Sequence, residues 1–130
     1  MSTPPNPSIS LILASASPRR RELLASTGIA FQVVPASIDE RPHPGEVPDA
    51  YVRRLALAKA EIVAEHSLGA VVLGADTTVT IDQLLLGKPS SAEEAREMLC
   101  RLSGRVHQVV TGVAIVRVDP AGRRHEQPLV

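Results

Sequence analysis

Ile9 to Leu13 is a short apolar run, and only Ala14-Ser15-Ala16 separates it from Ser17-Pro18, which opens a helix with a hydroxyl as N-cap and a proline at the first helical position. A buried strand passing so abruptly into a helix points to an α/β layout. Three consecutive arginines, Arg19, Arg20 and Arg21, occupy the first turn of that helix. Free N–H groups at the helix start, with guanidinium groups one turn away, form a site for phosphate oxygens. A capped helix whose arginines are merely solvated accounts for this segment equally well.

The rest of the chain alternates strands and helices. The first helix runs from Pro18 to about Thr27, carries Leu23 and Leu24 inward and stops at Gly28. Phe31 to Val34 reads as a strand. Asp39 to Pro48, with Pro42, Pro44 and Gly45, is a loop that leads into a helix from Pro48 to about His66, buried along Val52, Leu55, Ala56, Ile62 and Val63. Ala70 to Leu73 is a short apolar strand with Gly74-Ala75-Asp76-Thr77 at its C-terminal end, the place where α/β proteins carry their chemistry. A second extended run follows to Ile81, then a turn near Asp82-Gln83 and Leu84 to Leu86. Ser91 and Glu94 form a capping box for a helix to about Leu102. His107 to Val118, apolar on both faces, is expected at the centre of the sheet. Asp119-Pro120-Ala121-Gly122 turns the chain back into Arg123 to Val130.

At 130 residues the chain makes one domain, 8–130, behind a Pro/Ser/Asn-rich tail, 1–7, expected to be disordered. Lys+Arg and Asp+Glu stand at 14 each, so no overall basic field draws nucleic acid. Phe31 and Tyr51 are the aromatic residues, too few to build the stacking platform of a single-strand binder. Cys100 is the one cysteine and has no disulfide partner, which fits a reducing cytoplasm; beside Met98, Leu99 and Leu102 it reads as a small core residue. No segment approaches membrane-spanning length, and the N-terminal apolar run lacks a basic flank.

Phosphate chemistry is suggested again by Ile38-Asp39-Glu40, Gly74-Ala75-Asp76-Thr77 and Gly87-Lys88-Pro89. Asp76 is a candidate proton acceptor and also a natural Asx-turn residue at a strand end. Lys59 interrupts the inner side of an Ala/Leu-rich helix, as a phosphate-binding cation or as a snorkelling surface lysine. Glu40 could join Asp76 around a hard cation, with Asp39 as the competing ligand. No glycine-rich P-loop is present.

Together with Ser103-Gly104-Arg105-Val106-His107-Gln108-Val109-Val110-Thr111-Gly112, these segments resemble, from about Leu11 to Val116, the Maf family of nucleoside triphosphate pyrophosphatases, in its dTTP/UTP branch. The resemblance implies a mixed sheet flanked by helices, of the kind also found in inosine triphosphatases. It implies hydrolysis of dTTP, UTP or modified pyrimidine nucleotides to the monophosphate and pyrophosphate, with Mg²⁺ or Mn²⁺. Asp76 would be the general base, Glu40 and Asp76 the metal ligands, and Ser15, Arg19, Arg20, Lys59, Thr77 and Lys88 the substrate-binding residues, Arg19 and Thr77 selecting the base. His107 would be either a structural histidine or a participant. Family members continue past the strand ending near Val118 with a D-K-x-x-G stretch and a glutamine that close the site. This chain is therefore expected to lack the C-terminal part, to be a weak catalyst, and to expose a sheet edge that invites a homodimer. A nucleotidyltransferase that holds a triphosphate, and a nucleotide-binding or division-regulating protein without turnover, are the alternatives.

Overall fold

The computed structural model describes residues 10–81, 84–86, 91–104 and 107–130. The elements follow one another as β1 (Leu11–Ala14), α1 (Pro18–Ala25), β2 (Gln32–Val33), α2 (Pro48–Ala64), β3 (Val71–Ile81), β4 (Leu84–Leu86), α3 (Ala92–Leu102), β5 (Gln108–Val118) and β6 (Arg124–Leu129). The strands form one mixed sheet in the order β2-β1-β3-β5-β6, with β4 also paired to β3. β1 runs parallel to β2 and β3, and the β3/β4, β3/β5 and β5/β6 pairs are antiparallel. Parallel β1 and β3 require a long crossover, and α2 supplies it. The hairpin joining β5 to β6 is held by Asp119, whose Oδ1 accepts the Ala121 and Arg123 N–H groups, with Gly122 in the left-handed region at φ 87°.

The core lies between α2 and one face of the sheet. Ala56, Ala60, Val63 and Ala64 cluster with Ile12, Ala14, Val72, Ala114 and Val116, and Val52 and Leu55 of the same helix are fully buried. Two glycines set how close the helix comes. A Cβ at Gly74 would lie 2.2 Å from the Ala56 carbonyl oxygen, and one at Gly112 would lie 2.5 Å from that of Val52. Gly74→Ala and Gly112→Ala are each expected to cost about 3 kcal/mol, the upper end for overpacking, because the obstructing atoms are helix backbone and cannot swing aside. Urea denaturation measures this, and a loss under about 0.5 kcal/mol in either variant would show that α2 lifts freely off the sheet.

Several sequence expectations are corrected. β3 is one continuous strand carried through Gly74-Ala75-Asp76-Thr77 by its pairing to β5; the strand that stops there is β1, whose Ala14 is opposite Gly74. β5 does lie inside the sheet, between β3 and β6, but only one face is covered: Ala114, Val116 and Val118 are buried while Val109 and Ile115 are exposed. α1 ends at Ala25 and buries no residue fully, and Leu23 is 64% exposed. Ile62 points away from the α2 stripe, which passes through Ala60 and Val63, and is exposed. Cys100 is exposed on α3, not in the core. Residues 1–7, the Asp82-Gln83 turn and the Gly87-Lys88-Pro89 segment lie outside the described residues. Among those described, no helix is long and apolar enough to cross a membrane.

Candidate active site

Where β1 ends at Ala14, β3 continues, and β4 joins its free edge only at Val79. The edge between Gly74 and Val79 is open, and the β1–α1 turn folds into it. The buried Ser15 hydroxyl accepts the Ser17 N–H at 3.1 Å, and Ser17 caps α1 by accepting the Arg20 N–H at 3.4 Å. This local geometry aims Arg20 at the gap. Its Nη1 donates to the Ala75 carbonyl at 3.2 Å, the backbone group left without a strand partner on that side, and its Nη2 donates to Thr77 Oγ1 at 2.9 Å. Thr77 Oγ1 also lies 3.0 Å from Thr111 Oγ1 of β5.

Strand alternation separates the chemistry of the two faces. Asp76 points towards α2, where its Oδ1 accepts from Lys59 Nζ at 2.9 Å. The same ammonium lies 3.2 Å from Glu40 Oε1. The side chains of Lys59 and Asp76 are 12% and 9% exposed, so the pair is nearly dry, whereas Glu40 keeps 38% of its surface. A polar cleft of about 380 Å³ opens beside this cluster, bordered by Ser15, Ser17, Arg20, Ser37, Glu40 and Lys59. Thr77, on the opposite face, lines a second and mainly apolar groove of about 560 Å³ with Arg19, Leu23, Leu73, Val113 and Thr111. Ser17 and Arg20 border both cavities.

Of the residues singled out in the sequence, Ser15, Arg20, Glu40 and Lys59 thus border the polar cleft, Asp76 joins them through Lys59, and Arg19 and Thr77 line the adjoining groove. Lys88 lies outside the described residues. Asp39, the competing ligand, turns away to the Arg41 guanidinium, whose hydrogen bonds at 2.8 to 3.1 Å hold its carboxyl down at about 2. His107 is exposed just before β5, five residues from Gly112 opposite Asp76, or roughly 16 Å in extended chain.

Sequence reasoning passed over Tyr51, Arg54 and Glu46. Tyr51 Oη donates to the Glu40 carbonyl. Burial, followed by the nearby Asp76 and Glu40 charges, holds the Tyr51 phenol above its ordinary value. Arg54 clasps the Glu46 carboxylate through Nε at 2.7 Å and Nη2 at 2.8 Å, pulling that carboxyl down to about 2. A separation of eight residues between loop and helix matches no local periodicity, so only the fold reveals this pair. Because the folded-state value of Glu46 is depressed, its contribution to stability is present above the ordinary 4.5 and lost as pH falls towards 2. Amide exchange at residues 40–46 should therefore accelerate between about pH 4.5 and 2 relative to β3, and uniform acceleration of both would contradict local anchorage by this pair.

Comparison with known proteins follows the same lines. A dTTP/UTP pyrophosphatase of Myxococcus xanthus (strain DK1622) is 61% identical over 120 residues, 92% of this chain and 58% of that protein. One from Citrifermentans bemidjiense is 57% identical over 106 residues, 82% of this chain and 55% of that protein. The chain thus spans little more than half the length of these relatives. In fold it is similar to the nucleoside-triphosphatase / dITP/XTP pyrophosphatase of Mycobacterium abscessus, with a TM-score of 0.53 at 19% identity over 92% of this chain and 71% of that one. The Staphylococcus aureus Ham1 protein has a TM-score of 0.55 at 15% identity, covering 92% and 68%. The family described as Maf-like protein matches residues 10–129, from the start of β1 to the end of β6, and the chain belongs to it.

Proposed function

We propose that this site hydrolyses the bond between the α- and β-phosphates of nucleoside triphosphates, with dTTP, UTP or modified pyrimidine nucleotides as substrates, giving the monophosphate and pyrophosphate. The observation that carries this reading is the shared ammonium: Glu40 and Asp76 converge on Lys59 Nζ at 3.2 and 2.9 Å, beside a cleft bordered by Ser15 and Arg20. Names of close relatives support the substrate class.

The roles follow from position. Arg20, fixed to β3 by Ala75 and Thr77, offers its remaining N–H groups to phosphate oxygens, with Ser15 at the turn. Lys59 neutralises triphosphate charge from the α2 side. Lys88 is assigned the same task on the resemblance. Asp76 orients and deprotonates the attacking water. The base lies in the groove on the opposite face, where Arg19 and Thr77 meet it. The exposed Arg19 stays within reach there, and the apolar walls exclude water.

A divalent cation fits this donor set. Two carboxylates already share one positive charge, as a hard cation with oxygen ligands requires, and Glu40 and Asp76 would hold Mg²⁺ or Mn²⁺ together with substrate oxygens. Among the described residues no cluster of three or more His, Cys, Asp or Glu could hold a metal, so water, or substrate oxygens once the nucleotide is bound, would complete the coordination. Bound there, the cation would neutralise charge developing on the phosphoryl oxygens.

The test is a pyrophosphate-release assay on this chain with dTTP and UTP in Mg²⁺ or Mn²⁺, in a reducing buffer matching the cytoplasm where we place it. Equimolar monophosphate and pyrophosphate are expected. Nucleotide binding without turnover would convert the reading into that of a binding protein, and nucleotide transfer to an acceptor instead of water into that of a transferase. Sedimentation of the same sample reports whether the chain forms a homodimer.

A further inference from the structure

Glu40 stands on a loop without regular structure and keeps 38% of its side-chain surface, so its ion pair to Lys59 does not by itself fix the backbone that carries the carboxylate. The geometry points to Arg54 and Tyr51 as positioning residues that aim Glu40 into the cleft, an inference that rests on the metal-binding reading above. Two successive backbone carbonyls beginning at Glu40 are tied to α2: that of Glu40 accepts from Tyr51 Oη, and that of Arg41 accepts from Arg54 Nη2 at 3.1 Å. The same guanidinium holds Glu46 at the far end of the loop, and Glu46 Oε1 in turn accepts the His43 N–H at 3.0 Å. Arg54 also lies over the Tyr51 ring, 5.7 Å from its centroid, so the two anchors brace one another.

Exposure distinguishes this clamp from an ordinary surface pair. Glu46 and Arg54 are 8% and 29% exposed and joined through two nitrogens, whereas the neighbouring Arg41–Asp39 pair is 87% and 60% exposed and contributes little. Lys59 and the two anchors belong to the same helix. α2 therefore fixes both the ammonium and, through the loop backbone, the carboxylate that meets it.

The experiment titrates Mn²⁺ alone by electron paramagnetic resonance into the unmodified chain, Arg54→Met, Tyr51→Phe, Glu40→Gln and the Arg54→Met/Glu40→Gln double variant, and separately titrates dTTP in EDTA. Arg54→Met is expected to raise the Mn²⁺ dissociation constant about tenfold, the lower end for losing a partner that orients a metal ligand, and Tyr51→Phe several-fold. Affinity for dTTP in EDTA should stay within about twofold, because Arg20 and the β1–α1 turn are untouched. On the Glu40→Gln background, Arg54→Met should add nothing further, the non-additivity expected of a residue acting through another. Additive effects, or equal losses of Mn²⁺ and dTTP, would show a structural role and overturn the inference. Unchanged Mn²⁺ binding in Arg54→Met and Tyr51→Phe would overturn it while leaving the proposed site standing. No Mn²⁺ binding by the unmodified chain would overturn both. Tyr51→Phe, which removes a single hydroxyl, keeps the test decisive if Arg54→Met does not fold.

Discussion

Turnover of dTTP is expected to fall by about 10²- to 10⁴-fold when Asp76 is replaced by Asn, the scale of a lost general base. Asparagine keeps the size of the side chain and presents an oxygen where Lys59 Nζ now donates at 2.9 Å, so the ammonium retains that partner as well as Glu40. What disappears is the negative charge that would take a proton from water. The nucleotide should still bind, since Arg20 and the β1–α1 turn do not depend on Asp76. Single-turnover pyrophosphate release alongside calorimetry with dTTP separates the two effects. A variant that turns over at the unmodified rate would remove Asp76 from proton transfer. One that loses binding and turnover together would make it a substrate-holding residue instead.

Lys59→Met should cost about 3 kcal/mol of stability, the lower end for breaking a buried ion pair by removing one partner. Asp76 is nearly dry and loses its counter-charge outright, while Glu40, 38% exposed, can turn towards water. The ammonium shared by the two carboxylates is then gone, and a divalent cation can take its place between them. Mn²⁺ at a hundred times its dissociation constant would return about 2.7 kcal/mol. The melting temperature of Lys59→Met should therefore rise on adding Mn²⁺ by more than that of the unmodified chain, where Lys59 competes for the same oxygens. Calorimetry of both proteins with and without Mn²⁺ measures this. Equal shifts in the two would mean that ammonium and metal do not share a site.

Much of the scaffold was legible because it is local. The Ser17 cap and Pro18 start, the Ser91 cap with the Glu94 N–H, the α2 stripe through Val52, Leu55, Ala56 and Val63, and the Asp119 turn each involve residues within a few positions of one another. Leu23, Ile62 and Cys100 were misplaced because apolar character and helical spacing say which side chains form a face, not whether another element covers it. Which of Asp39 and Glu40 turns towards Lys59 lay beyond pattern as well. It depends on Arg41 drawing Asp39 outward and on Tyr51 holding the Glu40 carbonyl, two contacts that no single period predicts.

By itself, the order of segments along the chain determined the α/β class, the capped β1–α1 turn and the candidates for the chemistry, because strand and helix periods and capping residues act over a few bonds. The tertiary structure alone decided that Asp76 and Thr77, neighbours in sequence, serve opposite faces of the sheet, one towards Lys59 and the other towards the apolar groove. It also decided that Arg20 bridges to Ala75 and Thr77, far along the chain, in the gap where β1 ends. Gly74 and Gly112 let α2 approach closely enough to place Lys59 between two carboxylates. Such contacts arise from how strands end and how near a helix can come, quantities set by packing across the whole sheet and written in no short stretch of sequence.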